Sequence, residues 1–260
     1  QDTTPEGIAF NDDGTKMFMI GDSSDTVYEY SLSTAYDLST ASYSSISFSV
    51  SSQDTLIKDV AFNNDGTKMY VVGNSNDSVF EYDLSTGFSL STASYGRSFS
   101  TSGQETTPES VAFNSDGTKM FVLGNTGDDV NEYSLSTAFT VTSASYTRNF
   151  SVNSQDSTPV SIDFNEDGTK MFVLGRLTDA VYQYNLTTGF DLSTASYSSI
   201  SFSVSSQESD PRGLAFAGIK MYISGKVNDT VYQYTAAGLS YTNQMDKTQL
   251  DAVTDPNQVT

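Results

Sequence analysis

The chain has 260 residues, with 12 Lys+Arg against 32 Asp+Glu and a formal net charge of −20. It holds no Cys, His or Trp, which excludes a disulfide framework, thiolate chemistry and every Ser-His-Asp or Cys-His arrangement. A field of that sign repels nucleic-acid phosphate and anionic membrane surfaces, and no run reaches the ~18 apolar residues of a membrane helix, so neither nucleic-acid binding nor membrane insertion is expected.

The opening Gln1-Asp2-Thr3-Thr4-Pro5 shows no signal peptide, as expected of a removed leader or an excised piece. Gly7 to Phe10 is a short apolar run after Thr-Pro. Asp13-Gly14 is a tight-hairpin signal, because Gly tolerates positive φ. Lys16 to Gly21 is apolar without alternation, as in a strand covered on both faces. After the polar turn Asp22 to Asp25, the stretch Thr26 to Leu32 puts Tyr28, Tyr30 and Leu32 on one face. The connection Ser33 to Ser42 carries Tyr36 and Leu38 as anchors. Ser45 to Val50 alternates serine with apolar residues, the pattern of a half-exposed strand.

The whole unit then returns. Phe10-Asn11-Asp12-Asp13-Gly14-Thr15-Lys16-Met17-Phe18 recurs from Phe62, Phe113 and Phe164, and in shortened form from Phe216 to Tyr222. The lysines stand at 16, 68, 119, 170 and 220, a period of 50 to 52 residues, which points to a stacked or circular array. Burial falls from an inner strand to an outer one, as a radial four-stranded blade requires. No 3.6-residue period is sustained, so a helical solenoid is not expected. The units run at about 1–52, 53–103, 104–154, 155–206 and 207–243. In the fifth, the missing outer strand is expected at Leu239 to Asn243, and 244–260 reads as a C-terminal strap or linker.

The run Thr4-Pro5-Glu6-Gly7-Ile8-Ala9-Phe10, followed by Asp13-Gly14-Thr15-Lys16-Met17-Phe18-Met19-Ile20-Gly21, resembles the repeats of YVTN-type and NHL-like β-propellers. The resemblance covers all five units, with Asn or Asp in place of the turn proline and a longer Ser/Thr-rich link between third and fourth strands. It implies an all-β fold, a five-bladed β-propeller with four antiparallel strands per blade. It says little of function, because propellers host lectins, hydrolases, adhesins and scaffolds alike.

Comparing the five units exposes candidate sites. Two columns vary in charge on a constant frame: Glu6, Lys58, Glu109, Val160 and Arg212 before the first strand, and Asp22, Asn74, Asn125, Arg176 and Lys226 at the second turn. In propellers of this kind the two loops share one face around the channel mouth, so they are expected to form a ligand-binding face. Asp163 breaks a column of Ala9, Ala61, Ala112 and Ala215. It is a candidate channel ligand, or, with Glu6 or Glu109, part of an acidic pocket in a glycosidase- or lactonase-like enzyme. No catalytic residue is assigned. Asp25, Asp77, Asp128, Asp179 and Asp229 form either a cation-binding ring, which leaves calcium open as a cofactor, or a set of turn residues. The turn reading is preferred, as it is for the calcium-loop-like Asn11 to Gly14, and no metal site is assigned. The tyrosine ladder on the third strand reads as core, with Asn131 as its unexplained interruption. Together these features predict a non-enzymatic, extracellular binding or structural module that is secreted, cell-surface or virion-associated. Its partner would be a glycan or protein, and membership of a larger surface or viral assembly is left open.

Overall fold

The computed structural model describes residues 1–236 and 253–259. They form five sheets, each of four consecutive antiparallel strands in chain order. In blade one these are Pro5–Phe10, Lys16–Gly21, Thr26–Leu32 and Ala41–Ser49. The fold is therefore a five-bladed β-propeller.

The burial gradient follows the sequence. Five of the six residues of Lys16–Gly21 are buried, whereas Ala41–Ser49 alternates between half-buried and exposed. The inner strands are wedged between neighbours, and five apolar clusters fill the five interfaces between adjacent blades. Each interface repeats one aromatic contact, from a second-strand ring to the first-strand Phe of the next blade. The pairs are Phe18–Phe62, Tyr70–Phe113, Phe121–Phe164, Phe172–Phe216 and, at the seam, Tyr222–Phe10, with centroids 4.3 to 4.6 Å apart. Such pairs add ~0.5–1.5 kcal/mol each beyond the burial of their area.

The Asp-Gly turn is required twice over. Gly14 has φ +69°, and a Cβ there would lie 2.5 Å from the Tyr36 ring, which closes over the turn. Tyr36 itself is left-handed at φ 60°, as are Phe88, Phe139 and Phe190 in the same place. In the turn, Asp13 Oδ1 accepts from the Thr15 N–H at 2.9 Å and Asn11 Oδ1 from the Lys16 N–H at 2.8 Å, which is hairpin chemistry.

The tyrosine ladder is core: Tyr82, Tyr133, Tyr184 and Tyr234 are at most 2 % exposed. Asn131 is buried in this series and satisfied by a local polar group, donating to Asp129 Oδ1 at 2.7 Å, while Asn149 donates to Asp129 Oδ2.

Blade five differs from the expectation. Its fourth strand is Val253–Val259, inside the stretch read as strap or linker, and it pairs with Thr230–Ala236. The segment Leu239 to Asn243 lies outside the described residues. The strand sits at the sheet edge, where the missing N–H of Pro256 costs little, and a serine-alternation search passes over it.

Candidate functional site

The two variable columns meet at one end of the channel. In four blades the first strand opens on a proline, and in all five its pairing slips within three residues of that start. The slip sits at or beside Glu6, Lys58, Glu109, Val160 and Arg212. A bulge of this kind re-aims a side chain out of the ladder. The second column is tied alongside by backbone. The N–H groups of Asp22, Asn74, Asn125, Arg176 and Lys226 donate to the carbonyls of Thr4, Leu56, Thr107, Thr158 and Asp210, at 2.8 to 3.1 Å.

The result is a ring of linked charges. Lys58 Nζ lies 3.6 Å from Glu6 Oε1 and 4.0 Å from Asp22 Oδ2. Arg212 approaches Glu6 Oε2 at 3.9 Å and bonds Asp210 Oδ2 at 3.0 Å. Arg176 Nε bonds the other Asp210 oxygen at 2.7 Å. Glu109 Oε1 accepts from Asn125 at 3.0 Å and Asn74 at 3.4 Å. Lys226 acts on Glu6 through its charge, and Val160 is a buried apolar gap in the ring. Burial raises the Glu6 carboxyl, opposed by Lys58 and Arg212. Glu109 is pushed up to about 7 by burial, opposed by Lys58 and reinforced by Glu6. Four buried atoms of the ring have no hydrogen-bond partner: Glu6 Oε1, which has Lys58 Nζ only at 3.6 Å, Arg212 Nε, Asp22 Oδ1 and Asn125 Oδ1.

Asp163 does not join Glu6 and Glu109. It lies further down the channel, in a cavity whose lining excludes both glutamates. Its two oxygens accept the N–H groups of Phe164 and, across the blade interface, Phe216, each at 2.7 Å. Burial lifts it to about 6. A second carboxylate, Asp59, lines the same cavity and is lifted to about 7, mainly by burial and slightly by Asp163. Asp59 accepts from Ser110 Oγ at 2.6 Å and from the N–H groups of Val111 and Val60. It belongs to a belt of inter-blade bonds that continues through Ser110 to the Ile162 N–H and through Ser161 to the Leu214 N–H.

No family model matches the chain, and no curated protein matches it. Solved structures do. A functionally unknown protein from Desulfotomaculum acetoxidans DSM 771 superimposes with TM-score 0.58 at 15 % identity, over 98 % of this chain and 88 % of the other. A protein from Bacteroides uniformis ATCC 8492, provisionally named a 6-phosphogluconolactonase, gives TM-score 0.55 at 12 % identity, over 97 % and 73 %. The Cps50 (Swd1) β-propeller domain of Myceliophteria thermophila gives 0.52 at 10 % identity, over 92 % and 84 %. The likeness is one of fold.

Within that propeller, the Asp25 column serves through its backbone. Asp25, Asp77, Asp128, Asp179 and Asp229 are left-handed at φ 46° to 51°. The carbonyls of the first four each accept the N–H that follows the blade's last strand, from Val50, Thr101, Val152 and Val204 at 2.7 to 2.9 Å. Among the described residues, no group of three or more Asp or Glu is placed to share a metal ion.

Two residue sets escaped the sequence reading. Asp54, Glu105 and Asp156 each take N–H groups from the second turn: Glu105 bonds those of Thr126 and Gly127 at 3.1 and 3.2 Å, and that of Thr107, just before the first strand, at 2.6 Å. The invariant Lys and the Glu or Gln 13 residues after it clamp neighbouring blades. Lys119 Nζ contacts Glu132 Oε1 at 2.8 Å and the Phe190 carbonyl of the next blade at 2.5 Å. Both sets are visible as columns across the units. Asp59 is too, as the lone carboxylate among Gly7, Ser110, Ser161 and Gly213.

Proposed function

We propose that the chain is a non-enzymatic binding module that presents its charged channel mouth to a glycan or protein partner outside the cell. The observation that carries the reading is the ring of linked charges at the mouth, in which the paired side chains of Arg176 and Asp210 stay partly exposed to solvent. Donors and acceptors side by side at an accessible rim suit a partner rich in hydroxyls or amides, such as a polyhydroxylated glycan.

A glycan-array screen with and without calcium tests this, followed by Arg176→Glu combined with Lys226→Glu. Arg212 is better changed to Lys than reversed, since a new carboxylate beside Glu6 would unfold the mouth. Loss of affinity by ~10-fold or more in the rim variant is expected. Undiminished binding of an identified ligand by both variants would sink the reading.

A second reading is hydrolysis of a lactone-like substrate, as the provisional name of the Bacteroides uniformis protein suggests. It is favoured by one feature, Glu109, held near neutrality beside Lys58. Lactone hydrolysis that disappears in Glu109→Gln would establish it.

A further inference from the structure

The cavity that holds Asp163 has a volume of about 550 Å³. It opens at the Asp-Gly turns, opposite the charged mouth, with Asp12 and Glu166 at its rim. Its origin is legible in the repeat. The middle of four of the five inner strands carries Ala9, Ala61, Ala112 or Ala215, and four methyl groups around a channel leave it unfilled. One blade departs, and there the side chain is the carboxylate of Asp163.

The lining has a chemical sign. Asp12, Asp59, Asp163 and Glu166 contribute carboxylates, whereas no described Lys or Arg lines the space. Phe10, Phe62, Phe113 and Phe216 contribute aromatic wall. Asp59 is taken up by three hydrogen bonds. Asp163 accepts one N–H at each oxygen, and a carboxylate can accept about four, so it retains capacity on a residue that lines the cavity. Anions are excluded by the four acids. The volume lies within the ~300–1,000 Å³ range of small-molecule sites. Aromatic rings with an acid counter-charge are the usual cradle of an ammonium group, which the rings attract through their quadrupole.

We propose that this cavity is a binding site for a small organic ammonium ion, seated on Asp163 against the phenylalanine wall. The ammonium supplies Asp163 with the positive counter-charge that the lining, which has no described Lys or Arg, does not give it. The rings replace the water that a bulky, weakly hydrated cation gives up readily. An inorganic cation would lose its hydration shell for too few oxygens here. The site is separate from the mouth, so it stands whether or not the mouth binds a glycan.

The test is calorimetric titration of the full chain with n-butylammonium and tetramethylammonium chloride at constant ionic strength. Neutral tert-butanol serves as a size control. Saturable binding of an ammonium ion and none of tert-butanol is expected. Ala112→Leu narrows the cavity with its charges intact and should weaken binding. Asp163→Asn should weaken it by ~10-fold or more, the order expected for a desolvated charge contact. If Asp163→Asn fails to fold, Ala112→Leu and the neutral control decide. Absence of saturable binding to the folded chain overturns the proposal. So does equal binding of tert-butanol, and so does unchanged affinity in Ala112→Leu.

Discussion

Glu132 of blade three accepts the backbone N–H of Leu192 in blade four, at 3.1 Å. Its other oxygen holds Lys119 at 2.8 Å, so one carboxylate closes the interface from both sides. Glu81 does the same for Val141 at 3.0 Å and Glu29 for Leu90 at 3.3 Å. At the seam Gln233 takes the Leu38 N–H at 2.9 Å. The acceptor oxygen is common to all four, and the charge is dispensable.

Glu132→Ala should therefore be costly and Glu132→Gln mild. The alanine variant strands the Leu192 N–H and leaves Lys119, which is partly buried, without its counter-charge. A loss of about 3 kcal/mol is expected for Ala and about 1 kcal/mol for Gln, measured by urea unfolding. Equal losses in the two variants would mean that the ion pair, not the shared acceptor, holds the joint.

Gly124→Ala should destabilise blade three although its φ is ordinary. A Cβ there would lie 2.1 Å from Glu105 Cδ. Glu105 would have to move and surrender the turn N–H groups of Thr126 and Gly127 and the N–H of Thr107 ahead of the first strand. About 2–4 kcal/mol is expected for the loss of a buried, charge-assisted network. Wild-type stability in this variant would refute the close packing described.

Stability should rise on acidification from neutrality. Asp59, Asp163 and Glu109 have folded-state pKa values raised by burial to about 7, 6 and 7. A raised carboxyl favours the folded state fully below its unfolded value, and that contribution is lost as pH climbs through the folded value. The melting temperature should thus increase from about pH 7 down to about pH 5. Below about pH 4 the trend should reverse, as turn carboxylates such as Asp13 and Asp65, held low by their Thr hydrogen bonds, take up protons. Glu109→Gln should flatten the rise without moving the acid limb. A flat profile between neutrality and pH 5 would contradict the burial of these groups.

The parts of the fold that repeat were legible in the sequence, and those that occur once were not. Lys16, Lys119 and Lys220 mark their blades because each reaches the same carbonyl of the next blade, that of Phe88, Phe190 and Tyr36. Gly14 and its equivalents recur because a ring must close over each turn. The last strand of blade five has no repeat to betray it: Val253–Val259 shares no alternation with Ala41–Ser49. At the site, the variable columns at 6 and 22 were readable because charge changed on a constant frame. Their linkage through Asp210 was not, since it depends on a bulge that turns Arg212 towards that carboxylate. Asp163 was visible as an oddity, but its attachment to the Phe216 N–H is a relation between blades that no single unit encodes.

The seam between blades five and one is joined like the others. The Ser224 hydroxyl donates to the Glu6 carbonyl, and Tyr222 OH and Lys220 Nζ both reach the Tyr36 carbonyl, at 2.6 and 2.8 Å. Every blade owns its four strands, so no strand crosses the seam to lock it. The ring is thus a bracelet of five similar non-covalent links, four of which the peptide chain also spans. Circular permutants opened at any of the other four junctions should fold to the same propeller, and under tension the seam, which no peptide bond crosses, should part first.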